Sequence, residues 1–172
     1  MPTFRDDEIE CHVFTFKEGV LSAVAHDLKI RVGKGSVTLG EGDAIEATFD
    51  PTSLSVVCAR KDGRDAPGTL SGGDKKKIEG NILEDVLHSK KHPEIRFRST
   101  SAERDGDRAT ITGELTLHGR TKTLTATATK KGERWETEVA IHQPDFGIKP
   151  YSAMLGALKV QPTVKVQLSV PA

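Results

Sequence analysis

Apolar and polar residues alternate along most of this chain with a period of two, the spacing that sends successive side chains to opposite faces of a strand. The clearest case is Thr163-Val164-Lys165-Val166-Gln167-Leu168-Ser169-Val170, in which four apolar residues share one face. Ile95 and Phe97 alternate with Glu94, Arg96 and Arg98, and Ile111, Gly113, Leu115 and Leu117 alternate with Thr112, Glu114 and Thr116. Leu124, Ala126 and Ala128 alternate with threonines at 123, 125, 127 and 129, and Trp135, Thr137, Val139 and Ile141 with Arg134, Glu136 and Glu138. Threonine and β-branched residues suit a pleated, half-exposed surface. In the N-terminal half, Val24, His26, Leu28, Ile30 and Val32 form one face, Leu54, Val56 and Cys58 another, and a further strand is expected near Ile45–Phe49.

Turn signals divide these pieces: Gly33-Lys34-Gly35, Gly40-Glu41-Gly42-Asp43, Asp105-Gly106-Asp107, His118-Gly119-Arg120 and Lys131-Gly132-Glu133. Strands this closely spaced predict antiparallel hairpins in a sandwich or barrel, not parallel βαβ units. The fold class is therefore all-β with one helical excursion near 74–88, where Ile78, Ile82, Val86 and Leu87 recur at helical spacing. Ser71 and Asp74 have the spacing of a capping box, Gly80 weakens the helix interior, and Pro93 stops it so that a strand begins at Glu94. The glycine-rich stretch from Arg60 to Gly73 is expected to be a mobile loop.

A length of 172 residues suits one domain over 1–172 with a sizeable core. With 25 basic and 25 acidic residues there is no global field to attract nucleic acid or an acidic membrane. No apolar run approaches the ~20 residues of a membrane helix, which predicts a soluble chain without stable membrane insertion. The start Met1-Pro2-Thr3-Phe4-Arg5-Asp6-Asp7-Glu8 lacks the basic and apolar stretches of a secretory signal, so a cytoplasmic location is expected. Cys11 and Cys58 fall in strand-like segments and are read as buried free thiols.

Signals for chemistry are sparse. His88 and His92 are four apart, a zinc spacing on a helix, but Ser89 stands where a zinc-protease motif needs glutamate and Pro93 ends the helix; two exposed histidines are expected, and no metal. Asp145-Phe146-Gly147 lacks every companion of a kinase magnesium motif. Lys75-Lys76-Lys77, followed by Glu79, Glu84 and Asp85, reads as a solvated helix face. His26 is a polar residue on an otherwise apolar face: either a hydrogen-bonded core histidine, or a contact to a ligand head or an acid–base group.

Three segments resemble the YceI-like family, a group of lipocalin-like, polyisoprenoid-binding proteins. His92-Pro93-Glu94-Ile95-Arg96-Phe97-Arg98-Ser99 is similar to its Tyr-Pro-x-Ile-x-Phe-x-Ser; Gly113-Glu114-Leu115-Thr116-Leu117-His118-Gly119-Arg120-Thr121-Lys122 is similar to its Gly-x-Leu-Thr-Leu-His-Gly-x-Thr-Lys; and Asp145-Phe146-Gly147 precedes the closing valine-rich strand as in the family. The resemblance covers roughly residues 78 to 170; in the N-terminal half the family's opening motif is absent. It implies a long lipocalin-like barrel holding an isoprenoid or lipid-like small molecule, without a cofactor, for carriage or sequestration. The residues then expected at the ligand are Phe14, Phe16, Val24, His26, Leu28, Val56, Ile95, Phe97, Leu115, Leu117, Trp135, Val139, Ile141 and Phe146, with His26 or Lys149 orienting its head. Small inward residues, Gly113, Ala126, Ala128 and Val164, would leave it room. The alternatives are a small enzyme using His26 as acid or base in the cavity, and a ligand-free protein-interaction module; a homodimer is compatible with each.

Overall fold

Twelve strands form one antiparallel sheet in the order β1-β4-β5-β8-β9-β10-β11-β14-β2-β3-β6-β7, in a computed structural model describing residues 1–18, 25–153 and 158–172. The strands are β1 (Thr3–Arg5), β2 (Glu10–Thr15), β3 (Asp27–Val32), β4 (Gly35–Leu39), β5 (Ile45–Phe49), β6 (Leu54–Lys61), β7 (Arg64–Ala66), β8 (Ile95–Asp105), β9 (Arg108–Leu117), β10 (Arg120–Lys131), β11 (Arg134–His142) and β14 (Thr163–Pro171); β12 (Ser152–Ala153) and β13 (Leu158–Lys159) make a separate small pair.

Connectivity forces this sheet to curl. β3 and β4 lie eight places apart in the strand order yet are joined by Gly33-Lys34 alone, and β5 and β6, equally far apart, by Asp50–Ser53. In a flat sheet eight spacings would separate them by about 38 Å, whereas two linking residues reach at most about 10 Å. The ends are therefore brought together, and the corner is bonded: Gly33 N–H donates to the Ser53 carbonyl at 3.2 Å, Lys34 N–H to Ser53 Oγ at 2.9 Å, and Asp50 N–H to the Lys34 carbonyl at 3.0 Å.

The long hairpins β8–β9–β10–β11 follow the expected alternation. Outward threonines pair across strands, Thr112 with Thr125 at 2.9 Å and Thr116 with Thr121 at 2.8 Å between hydroxyl oxygens. The β9–β10 turn places both His118 (φ 54°) and Gly119 (φ 72°) in the left-handed region, the requirement of a tight two-residue hairpin.

Helix α1 (Gly72–Asn81) begins on the anticipated capping box: Asp74 N–H donates to Ser71 Oγ, and Ser71 N–H to the Asp74 carboxylate, both at 3.0 Å. It runs into a π turn, Ile82–Val86, in which Leu87 N–H reaches the Ile82 carbonyl at 2.8 Å, and β8 starts at Ile95, one residue later than expected. Ile78 and Ile82 pack with Leu70 on buried Leu28, Ile30 and Val56, so the helix covers β3 and β6.

Two features were not anticipated. The stretch from Arg60 to Gly73 is not simply a loop, because Asp62 (φ 52°) and Gly63 (φ 77°) turn a tight hairpin between β6 and β7, with Arg60 and Lys29 both on the Asp65 carboxylate. Strands β2 and β4 escaped the alternation rule. In β2, Phe14 follows Val13 on the opposite face, and that outward ring is buried under the Arg60 guanidinium 4.8 Å from its centre, so the outward face, otherwise Glu10 and His12, carries an aromatic ring.

Candidate functional site

The wall encloses a cavity of about 880 Å³, within the ~300–1,000 Å³ range of sites that take a small organic ligand. Its lining is contributed by every long strand. β2 supplies Cys11, Val13 and Thr15, β3 Leu28, Ile30 and Val32, β4 and β5 Val37, Ala47 and Phe49, β8 Ile95 and Phe97, and β9 Ile111, Leu115 and Leu117. Leu124, Ala126 and Ala128 come from β10, Trp135, Val139 and Ile141 from β11, and Val164, Val166, Leu168 and Val170 from β14. The π-turn residues Ile82, Val86 and Leu87 close one side.

Buried clusters hold this wall in place. Ile9, Cys11, Val32, Val37, Ala47 and Val170 gather around the tied corner, and Ile141, Phe146 and Ile148 pack toward the helix side with Leu115, Leu117 and Val164 around them. The Cys11 thiol belongs to both a cluster and the lining; burial pushes its pKa up to about 12, so it is a neutral, apolar surface at physiological pH. Cys11 and Cys58 are both free and buried.

The lining also carries polar residues: Thr15, His26, Thr69, Asp74, Lys77, Asn81, Thr137, Gln143, Tyr151 and Lys159, with Asp43, Glu103, Arg104 and Glu136 contributed by the β4–β5 connection, the end of β8 and the start of β11. The Arg104 guanidinium lies 5.1 Å from the centre of the Trp135 ring.

Of the anticipated ligand residues, His26, Leu28, Ile95, Phe97, Leu115, Leu117, Trp135, Val139 and Ile141 line the cavity. Four do not. Phe14 is outward, Phe16 lies beside Lys165 with Nζ 5.9 Å from its ring centre, Val56 is sandwiched with Leu28 and Ile30 under the helix, and Phe146 is consumed in the packing of the Gln143–Phe146 turn. Val24 lies outside the described residues. His26 is not enclosed: it stands exposed at the rim, just before β3, so the apolar face begins at Leu28. Lys149 is exposed and away from the lining, where Lys77 and Lys159 appear instead. Gly113 leaves no free space, because the Phe97 ring lies over it: a Cβ there would stand 2.4 Å from Phe97 Cζ.

Thr15, Asn81, Gln143, Tyr151 and the π-turn residues were missed as site residues. The spacing of Ile78, Ile82, Val86 and Leu87 carried a usable signal, since a helix apolar along one stripe must cover something apolar. Nothing local marks Gln143 or Tyr151.

The histidine pair is rearranged relative to expectation. His88 is exposed in a left-handed turn, but His92 is half-buried against Gly119, and both rings neighbour His118, with centres 5.5 and 4.4 Å away. His118 Nδ1 lies 3.2 Å from the Phe146 carbonyl, which ties the β9–β10 turn to the Asp145-Phe146-Gly147 turn, and burial lowers the His118 pKa. Among the described residues no three histidine, cysteine or carboxylate side chains are arranged to hold a metal ion.

The sequence profile of the YceI-like domain matches residues 8–172, nearly the whole chain. The chain belongs to the YceI-like family. Among its relatives, a UPF0312 protein of Pseudomonas putida is 43% identical over 76 residues, 38% of this chain and 40% of that protein. Protein YceI of Escherichia coli O157:H7 is 40% identical over 75 residues, 38% of this chain and 39% of that one, so the matched stretch spans about two-fifths of these curated relatives. Likeness in structure extends further. BcnA of Burkholderia cenocepacia superposes with a TM-score of 0.66 over 97% of this chain and 99% of its own, at 16% identity. A polyisoprenoid binding domain from Saccharophagus degradans, implicated in plant cell wall breakdown, gives 0.60 over 99% and 98% at 9% identity. At such identities the likeness establishes the fold, a lipocalin-like barrel of mainly antiparallel strands with one short helix.

Proposed function

We propose that this YceI-like chain binds a long-chain apolar or amphiphilic molecule, isoprenoid- or lipid-like, inside the barrel and carries or sequesters it without chemical change. The observation that carries this reading is the cavity: about 880 Å³ of space lined by aliphatic and aromatic side chains from β2 to β14. Each ligand methylene moved from water into such a lining contributes about 0.8 kcal/mol, so a chain filling it is held by burial alone, with no need of a charged anchor. That the similarly folded Saccharophagus domain is a polyisoprenoid binder supports an isoprenoid among the candidate chains. An acid–base role for His26 loses its motive with the imidazole exposed at the rim.

Organic-solvent extraction of the purified protein followed by mass spectrometry tests the proposal. One long-chain species recovered in near-stoichiometric amount is the expected result. Recovery of no lipid, together with failure of added lipid to bind, contradicts it.

A further inference from the structure

We propose that the hydrocarbon tail enters and leaves through the side of the barrel, between β10 and β11, past a door made of the turn 143–148 that His118 latches and acid opens; this rests on the carrier reading. The wall is parted there. β10 and β11 pair only from Ala128 with Thr137 to Lys131 with Arg134, although β10 begins at Arg120 and β11 runs to His142. Where the ladder stops, Thr137 Oγ1 donates to the Thr127 carbonyl at 2.9 Å. Beyond that point residues 120–127 have strand partners on β9 alone, and residues 138–142 on β14 alone. Cavity-lining side chains stand on both banks of the split, Leu124 and Ala126 on one and Val139 and Ile141 on the other. The wedge between the two strands therefore leads into the space of the tail.

The turn fills the wide end of that wedge. It leaves β11 at His142 and crosses to the start of β10: Phe146 and Ile148 are buried beside Ile141 with Leu124 and Val139 against them, and Gly147 lies under the Arg120 guanidinium. Gln143 and Ile148 also line the cavity, so the turn is part of the wall and its withdrawal opens the cavity sideways. Its near end is anchored, Gln143 N–H donating to the Pro162 carbonyl at 2.8 Å. Its far end carries the latch, His118 Nδ1 on the Phe146 carbonyl at 3.2 Å. A carbonyl only accepts, so the neutral ring keeps its proton on Nδ1 and leaves Nε2 bare; that nitrogen is shut off from solvent and has no partner. A second proton there would be a buried charge with nothing to receive it. The charges nearest the ring oppose it as well: His88 and His92 from the segment before β8, and Arg120 from β10. Lys90, Lys91 and Glu94 of that segment and Asp145 of the turn are exposed to water. Burial thus lowers the docked His118 pKa from its ordinary 6.5. Below that pH a released ring takes up the proton while the docked ring resists it, so acid favours the open door by up to about tenfold per pH unit.

The test follows the emission of the single tryptophan, Trp135 of the lining, in stopped flow with geranylgeraniol as the probe, at pH about 7.5 and about 5.5 on either side of the ordinary histidine range. Entry is read by mixing the probe with delipidated protein, and exit by mixing loaded protein with excess phosphatidylcholine vesicles. A door speeds entry and exit by the same factor and leaves their ratio, the affinity, in place. Wild-type exchange is expected to be up to about tenfold faster at the lower pH, with Kd held within about twofold. His118→Asn sets an amide nitrogen where Nδ1 stood and suits the left-handed backbone at φ 54°; its exchange should stay slow at both pH values. His118→Gly suits that backbone too but has no latch, and its exchange should be about tenfold faster than wild type at the higher pH and indifferent to acid. His118→Gly rates equal to those of wild type overturn the proposal, as do wild-type rates that ignore pH or a variant in which only one of the two rates changes. Geranylgeraniol that binds wild type at neither pH contradicts the carrier reading itself, a different result from binding with unaltered rates.

Discussion

Replacing Ala126 by phenylalanine separates a hollow barrel from a filled one. Ala126 sits on β10 opposite Ile111, between outward Thr125 and Thr127, and its methyl group faces the cavity. In a solid core the added ring would overpack and cost about 1–3 kcal/mol, lowering the melting temperature by roughly 2–12 °C for a chain of this size. In the present structure the ring projects into about 880 Å³ of open space, so stability is held or raised. The ligand bears the loss instead. A phenyl group that displaces about three ligand methylenes removes ~2.4 kcal/mol at ~0.8 kcal/mol each, close to fiftyfold in affinity. Thermal unfolding and titration of Trp135 fluorescence measure the two arms on the same sample. A variant that melts several degrees lower, or one that keeps its affinity, refutes the reasoning.

Further expectations follow from neighbouring positions. Leu115→Arg puts a guanidinium beside Phe97 on the lining, and ligand binding should vanish while circular dichroism still reports a folded β protein; undiminished affinity in that variant would contradict the inward assignment. Gly113→Ala forces a Cβ to within 2.4 Å of Phe97 Cζ and 2.5 Å of the Arg98 carbonyl, and denaturant unfolding should register a loss of about 1–3 kcal/mol. Gly80→Ala adds a methyl group to α1 with nothing within 4 Å of it, and the same assay should show a gain of about 0.5–1 kcal/mol. The Cys11 thiol, raised in the folded chain to about 12 from an ordinary 9.0, is protonated in both states below pH 9; as pH rises from 9 to 12 the unfolded chain loses its proton first, so this group's contribution declines across that window. Denaturant unfolding of wild type against Cys11→Ala across that range should therefore converge, and parallel curves would deny the burial effect.

What the sequence revealed depended on whether one face of each element was wet. From β8 to β11 and in β14 the outward residues are threonines and charges, so period two was plain, although it gave no sign of the register shift between Ser99 and Ser101 in β8. β2 was hidden because Phe14 faces outward under Arg60, and β4 because it is short and opens on Gly35 and Ser36. The β6–β7 hairpin carried an Asp62-Gly63 signal obscured by the glycines that follow it. For the cavity, alternation located the wall but not its polar part, since Gln143 and Tyr151 are positioned by bonds to the Val160–Gln161 segment, which in turn bonds the Phe16 carbonyl beyond the end of β2. His26 lies on the cavity face as the alternation implied, but it stands exposed at the rim because β3 begins only at Asp27.

The claim beneath all of this is that the barrel is hollow and takes a hydrocarbon tail. Trp135 lies on the cavity wall, so its emission, followed while delipidated protein is titrated with geranylgeraniol, reads the filling directly. A saturable change that ends near one ligand per chain and is absent with a short-chain alcohol is the predicted result. An emission spectrum unmoved by excess ligand would contradict it.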